Sequence, residues 1–113
     1  MPRSKYRAVK TVVDGIRFDS KLEARRWREL VLLQEAGAIS LLQRQAKWPI
    51  WWDSHLICTY VADFTYRRTN GEYVVEDAKG MRTATYNLKK KLMLAAYGIS
   101  IQEWPARPKR GKR

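Results

Sequence analysis

Tyr60-Val61-Ala62-Asp63-Phe64-Thr65-Tyr66 and Glu72-Tyr73-Val74-Val75-Glu76-Asp77-Ala78-Lys79-Gly80 are joined through Arg67-Arg68-Thr69-Asn70-Gly71, and how this segment folds decides how the rest is arranged. Both runs are rich in β-branched and aromatic residues, and Asn-Gly is strong turn chemistry, so they are expected to be antiparallel strands of a hairpin. Side chains alternate along a strand, which puts Val75, Asp77 and Lys79 on one face and Val74, Glu76 and Ala78 on the other. An acid and a lysine then emerge together. Asp63 sits among Val61, Ala62 and Phe64, a costly place for a carboxylate with no cation or donor to meet it. Two acids converging across a hairpin repel each other, and a divalent metal is a common way to keep both ionised. A metal site is the expectation.

Working outward, Thr11-Val12-Val13, Asp14-Gly15 and Ile16-Arg17-Phe18 predict a short N-terminal hairpin. Asp19-Ser20 offers an N-cap, Gly37 a stop, and Leu22, Trp27, Leu30, Val31 and Leu33 an apolar stripe for a helix between them. Glu23 stands three residues after Ser20, the capping-box spacing, so its plain role is a bond to the Ser20 amide. Residues 39–47 read as a strand leading to a loop-like Trp48-Pro49-Ile50-Trp51-Trp52. Those tryptophans suit a satellite core or subunit interface, or else a stacking platform on nucleic acid. Thr83 can cap a second helix over 84–97, with Leu88, Leu92, Ala95 and Ala96 inward, Gly98 as stop, and Lys89, Lys90 and Lys91 outward. Residues 99–104 alternate as a last strand. The helix before them permits a crossover, so that strand can pair parallel to an earlier one in a mixed sheet flanked by helices.

The 113 residues allow one domain, expected over 11–104, with a modest core. No apolar run approaches the ~20 residues of a membrane span and no leader-like segment opens the chain, so a cytoplasmic protein is expected. Single residues Cys58 and His55 make neither an internal disulfide nor a zinc site. Twenty-three Lys and Arg against eleven Asp and Glu give a net charge of +12, which points to a polyanion, nucleic acid first. The charge gathers at the ends: Arg3, Lys5, Arg7 and Lys10 in an arm over 1–10, Arg107, Lys109, Arg110, Lys112 and Arg113 in a tail over 105–113. Both are too polar to pack and are expected to order on phosphate.

Glu23 on a helix, Asp63 on a strand and Asp77-Ala78-Lys79 on the returning strand resemble the PD-(D/E)XK nuclease superfamily. The wording from Asp14 to Arg26, with Tyr60-Val61-Ala62-Asp63-Phe64, Val75-Glu76-Asp77-Ala78-Lys79-Gly80 and Leu88-Lys89-Lys90-Lys91-Leu92, looks like a family of small phage-encoded nuclease-like proteins. The spacing is also similar to that of phage endonuclease I, a Holliday-junction resolvase. The resemblance implies a restriction-endonuclease-like α/β fold in which Asp63, Asp77 and the Ala78 carbonyl ligate Mg²⁺ or Mn²⁺. Glu23 would bind a second ion or orient water, and Lys79 would position the attacking water. Gln45 is a further residue expected to line the site. Ala62 stands where the superfamily often has proline. The implied activity is metal-dependent hydrolysis of branched DNA, notably four-way junctions, by a homodimer. The alternatives are a non-specific or nicking nuclease, and a DNA-binding accessory protein that cuts nothing. Taken alone, Asp77 with Lys79 is no more than a common surface ion pair.

Overall fold

In the computed structural model, residues 10–79 and 82–106 are described. The expected arm residues Arg3, Lys5 and Arg7, the tail residues Arg107, Lys109 and Arg110, and Gly80 lie outside them. Lys10 is exposed just ahead of the first strand.

Strands β1 (Thr11–Val13) and β2 (Ile16–Phe18) form the N-terminal hairpin. Its turn residues Asp14 and Gly15 take φ of +53° and +77°, the left-handed pair that a two-residue turn requires. Helix α1 (Lys21–Glu35) starts on Ser20, whose hydroxyl accepts from the Glu23 amide at 3.1 Å. It ends at Gly37, φ +81°. A four-stranded sheet follows in the order β3 (Ile39–Trp52), β4 (His55–Arg68), β5 (Tyr73–Ala78), β6 (Gln102–Trp104). The first three strands are antiparallel neighbours, and β6 runs parallel to β5. Helix α2 (Ala84–Tyr97) makes the crossover that a parallel pair needs. The result is the mixed α/β architecture expected, a mixed sheet with helices and an N-terminal hairpin.

Two apolar clusters make the sheet a middle layer. Val13, Phe18, Ala24 and Leu30 pack on Phe64, Tyr66 and Val74 on one side. Tyr86 and Met93 of α2 pack with Ile50, Tyr60, Ala62 and Val75 on the other. Alternation alone would give residues 60, 62, 64 and 66 one common face. Tyr60 and Ala62 nevertheless join the α2 cluster while Phe64 and Tyr66 join the α1 cluster. The long β3–β4 ribbon therefore changes the layer it packs against at Asp63. Gln45, which falls opposite Asp63 between the pairs Arg44↔Phe64 and Ala46↔Ala62, has φ +56°. A kink of this kind re-aims side chains and is frequent beside functional sites.

Several expectations need correction. Trp48 to Trp52 is the end of β3 and not a loop. Proline is tolerated there because β3 is the sheet edge, where one side of the ladder needs no donor. Trp48 packs on the α2 cluster, while Trp51 and Trp52 are 56% and 76% exposed at the ribbon tip. On α2, Leu88 is 58% exposed and Ala95 and Ala96 face solvent, because the helix seats on the sheet through Tyr86 and Met93, two turns apart. On α1, Leu33 is exposed, and Glu23 with Ala24 takes the inward place instead. Residues 23, 27 and 30 share one stripe, so the phase that buries Leu30 also turns Glu23 inward. Strand β6 is shorter than expected, with Ile99 and Ile101 packed as non-strand residues ahead of it.

Candidate functional site

The β4–β5 ladder stops at Phe64↔Glu76. One residue further the strands part and side chains take over the pairing. The Asp63 amide donates to Asp77 Oδ1 at 2.9 Å, and the Ala78 amide donates to Asp63 Oδ2 at 2.9 Å. Each carboxylate thus closes the other's strand, which satisfies backbone donors that the ladder leaves open. Asp77 Oδ2 also accepts from the Tyr60 hydroxyl, and Lys79 Nζ stands 4.0 Å from it. The Lys79 ammonium lies 4.6 Å from the centre of the Tyr86 ring, which gives that side chain a second hold.

Glu23 approaches from α1. Its carboxylate faces β3, where Gln45 Nε2 donates to Oε2 at a long 3.5 Å and Arg44 Nη2 lies 3.8 Å away. The capping reading holds for the Glu23 amide alone, since the carboxylate points inward. Burial, then the charge of Asp63, pushes the Glu23 carboxyl up to about 7 against the pull of Arg44, with Asp77 also raising it. Burial likewise raises Asp63 and Asp77; the Ala78 amide and Lys79 oppose it at Asp63, and Lys79 and the Asp63 amide oppose it at Asp77. Glu23 feels the charge of both aspartates and Asp63 that of Asp19, with Arg44 and Lys79 as the opposing cations, so the site is short of positive charge. Glu103, beside Asp77 in the β5–β6 register, adds to the pressure on Asp77. Its own carboxyl sits at about 2: burial would raise it, but hydrogen bonds from Arg82, Tyr86 and Lys90 outweigh that.

As they stand, no three His, Cys, Asp or Glu side chains among the described residues gather closely enough to hold a metal ion. The donor chemistry nevertheless suits a hard cation. All ligands on offer are oxygens, and Asp63 Oδ1 has no hydrogen-bond partner among the described residues. Glu76, the other acid of β5, is on the opposite face, held by Arg26 at 2.6 and 2.9 Å and by Tyr66. The three lysines of α2 do not act as one row. Lys89 reaches the Thr59 carbonyl at 3.4 Å, Lys90 pairs with Glu103 at 3.1 Å, and Lys91 is exposed. A groove of about 240 Å³ beside Asp77 is lined by Thr59, Tyr60, Lys79, Thr83, Tyr86 and Lys89.

Tyr60, Arg44 and Glu103 are contacts that sequence reasoning missed. Alternation turns Tyr60 away from Asp63, and only the kink of the ribbon brings its hydroxyl to Asp77. Arg44 carried no signal beyond its place beside Gln45.

Fold and site together define a two-helix, mixed-sheet α/β protein with an acid-and-lysine cluster at the parting of two central strands. The chain belongs to the family described as protein of unknown function (DUF1064), whose model matches residues 3–110. No curated protein and no solved structure matches it. Family membership names no activity and no tie to the PD-(D/E)XK nucleases; that resemblance rests on the residues of this chain.

Proposed function

We propose that this protein is a Mg²⁺- or Mn²⁺-dependent endonuclease that hydrolyses phosphodiester bonds in branched DNA, four-way junctions above all. The observation that carries the reading is the facing pair Asp63 and Asp77, each bonded to the other's strand, with Lys79 4.0 Å from Asp77 and the Glu23 carboxyl turned inward from α1. Asp63, Asp77, Glu23 and the Ala78 carbonyl would hold the metal. When bound, such an ion lowers the pKa of water and neutralises charge on the departing oxygen. Lys79, about a quarter exposed, orients the attacking water or the scissile phosphate by hydrogen bonding. Lys10, Lys89 and Lys91, with the terminal cations, hold DNA backbone, and the +12 charge draws it in. A homodimer fits this chemistry, because two strands need two sites and each chain offers one.

A second reading is favoured by one observation: both oxygens of Asp77 are already engaged, by the Asp63 amide and the Tyr60 hydroxyl. In that reading the protein binds DNA and cuts nothing. Labelled four-way junction, duplex and single strands, incubated with Mg²⁺, Mn²⁺ or chelator, separate the two. Metal-dependent, junction-selective cleavage supports the first. Tight binding with intact strands in every metal sinks it and leaves the second.

A further inference from the structure

We infer that Arg44 is a phosphate-binding residue at the rim of the carboxylate cluster, taking a non-bridging oxygen of a nucleic-acid phosphodiester; this rests on the reading of that face as the side that meets DNA. Two other arginines are tied directly to buried or half-buried acids. Arg26 places Nε and Nη2 on the two oxygens of Glu76 at 2.6 and 2.9 Å, and Arg82 places Nε on Glu103 at 2.8 Å. Arg44 has no such neutralisation. Its closest carboxylate oxygen, Glu23 Oε2, is 3.8 Å from Nη2, beyond hydrogen-bond reach. Its Nε is buried and has no hydrogen-bond partner among the described residues. Such orphaned donors are rare, and a guanidinium cannot escape the cost by losing its proton.

The side chain is nonetheless held in place. The guanidinium carbon lies 4.6 Å from the centre of the Phe18 ring, and Phe18 is itself fully buried in the α1 cluster. The side chain is 24% exposed, so part of it is open to a ligand from solvent. Because Nε is shut off from solvent, a ligand meets only the exposed remainder of the side chain, and a fixed guanidinium with no carboxylate in hydrogen-bond reach is suited to the charge of a phosphodiester oxygen. Arg44 on β3 and Lys79, just past the end of β5, both lower the Asp63 carboxyl by their charge. A phosphate crossing Asp63 would therefore lie between two cations, on a chain whose net charge is +12.

The test measures binding of fluorescent four-way junction and duplex in chelator across a salt series, by anisotropy, for the whole protein and for Arg44→Ala, Arg44→Gln and Arg44→Lys. Arg44→Ala and Arg44→Gln should each weaken binding about tenfold and lower the salt slope by about one unit, the signature of one lost phosphate contact. Arg44→Lys should recover the slope and only part of the affinity, since it keeps the charge and loses the planar fork. Gln keeps much of the stem, so a failure of the Ala variant to fold does not end the test. Wild-type affinity and slope in a folded Arg44→Gln protein overturn the inference. A protein that binds with this Arg44 dependence and cuts nothing overturns the nuclease reading and leaves the inference standing. Cleavage by the wild type with no change in Arg44→Gln does the reverse.

Discussion

Asp63 and Asp77 are acids that the fold keeps largely out of water, and their cost and their use are separable. Burial raises the Asp63 carboxyl above its ordinary 3.8, so the folded chain holds that proton more tightly than the unfolded chain does. Stability then falls as pH rises through this window, because the folded state carries more bound proton than the unfolded one. In chelator at neutral pH, Asp63→Asn is accordingly expected to raise the melting temperature, since the amide oxygen can still accept from the Ala78 amide without carrying charge. Thermal unfolding followed by circular dichroism checks this, and a lower melting temperature would mean that the carboxylate charge stabilises the metal-free fold. The same substitution should abolish metal-dependent cutting. Asp77→Asn should likewise slow cutting by roughly a thousandfold, the rate equivalent of several kcal/mol of lost charge stabilisation. Junction affinity in chelator should persist, so that turnover and binding part company in one pair of assays. Full turnover in Asp77→Asn would remove that residue from the chemistry.

At the scale of elements, the β3–β4 ribbon and the α2–β6 contact decide where these residues stand. Leu41 and Gln45 on β3 both have φ of +56°, a region that L-residues with a large side chain enter at a cost of roughly 1–2 kcal/mol. Leu41 is 67% exposed, so Leu41→Gly loses little burial and should gain up to about 1 kcal/mol in denaturant unfolding. A loss would show that the Leu41 side chain has a packing role. Glu103 ties β6 to α2 through Tyr86 and Lys90 and also takes Arg82, and its carboxyl is held at about 2 against an ordinary 4.5. Its contribution is fully present above pH 4.5 and is lost as pH falls from there toward 2. Glu103→Gln should therefore lower stability at neutral pH and flatten the acid limb of the stability curve between those values; an unchanged limb would show that the network contributes nothing to folding. The element order was readable from the chain because its signals are local. Asp14-Gly15 and Asn70-Gly71 make turns, Ser20 and Thr83 cap helices, and Gly37 and Gly98 end them. The meeting of Asp63 with Asp77 and Lys79 was legible because the Asn70-Gly71 turn sets the hairpin register that places Asp63 opposite Asp77, although the ladder itself ends one residue earlier. Tyr60, Arg44 and the true inner face of α2 were not, because they depend on the kink at Gln45 and on how two layers share one ribbon. These are non-local facts, and a period of two or 3.6 carries no trace of them.

For the whole molecule the governing quantity is charge and where it lies. Residues 1–9 and 107–113 hold eight cations and no acid, so their removal takes the net charge from +12 to +4. Among the described residues, some cations are held by acids: Arg26 by Glu76, Arg82 and Lys90 by Glu103, Arg68 by Glu72. Eight of the twelve net positive charges thus lie in the terminal segments, and these segments should supply most of the sequence-independent attraction for DNA. If so, a chain of residues 10–106 should bind junction and duplex more weakly, and the plot of log affinity against log salt should lose roughly 0.9 of slope for each phosphate contact released. The junction-to-duplex preference should survive, since ends of this kind hold backbone and read no shape. Truncated protein with the parent's affinity and slope would place the attraction in the sheet and helices instead. Loss of the preference itself would assign recognition of the branch to the ends.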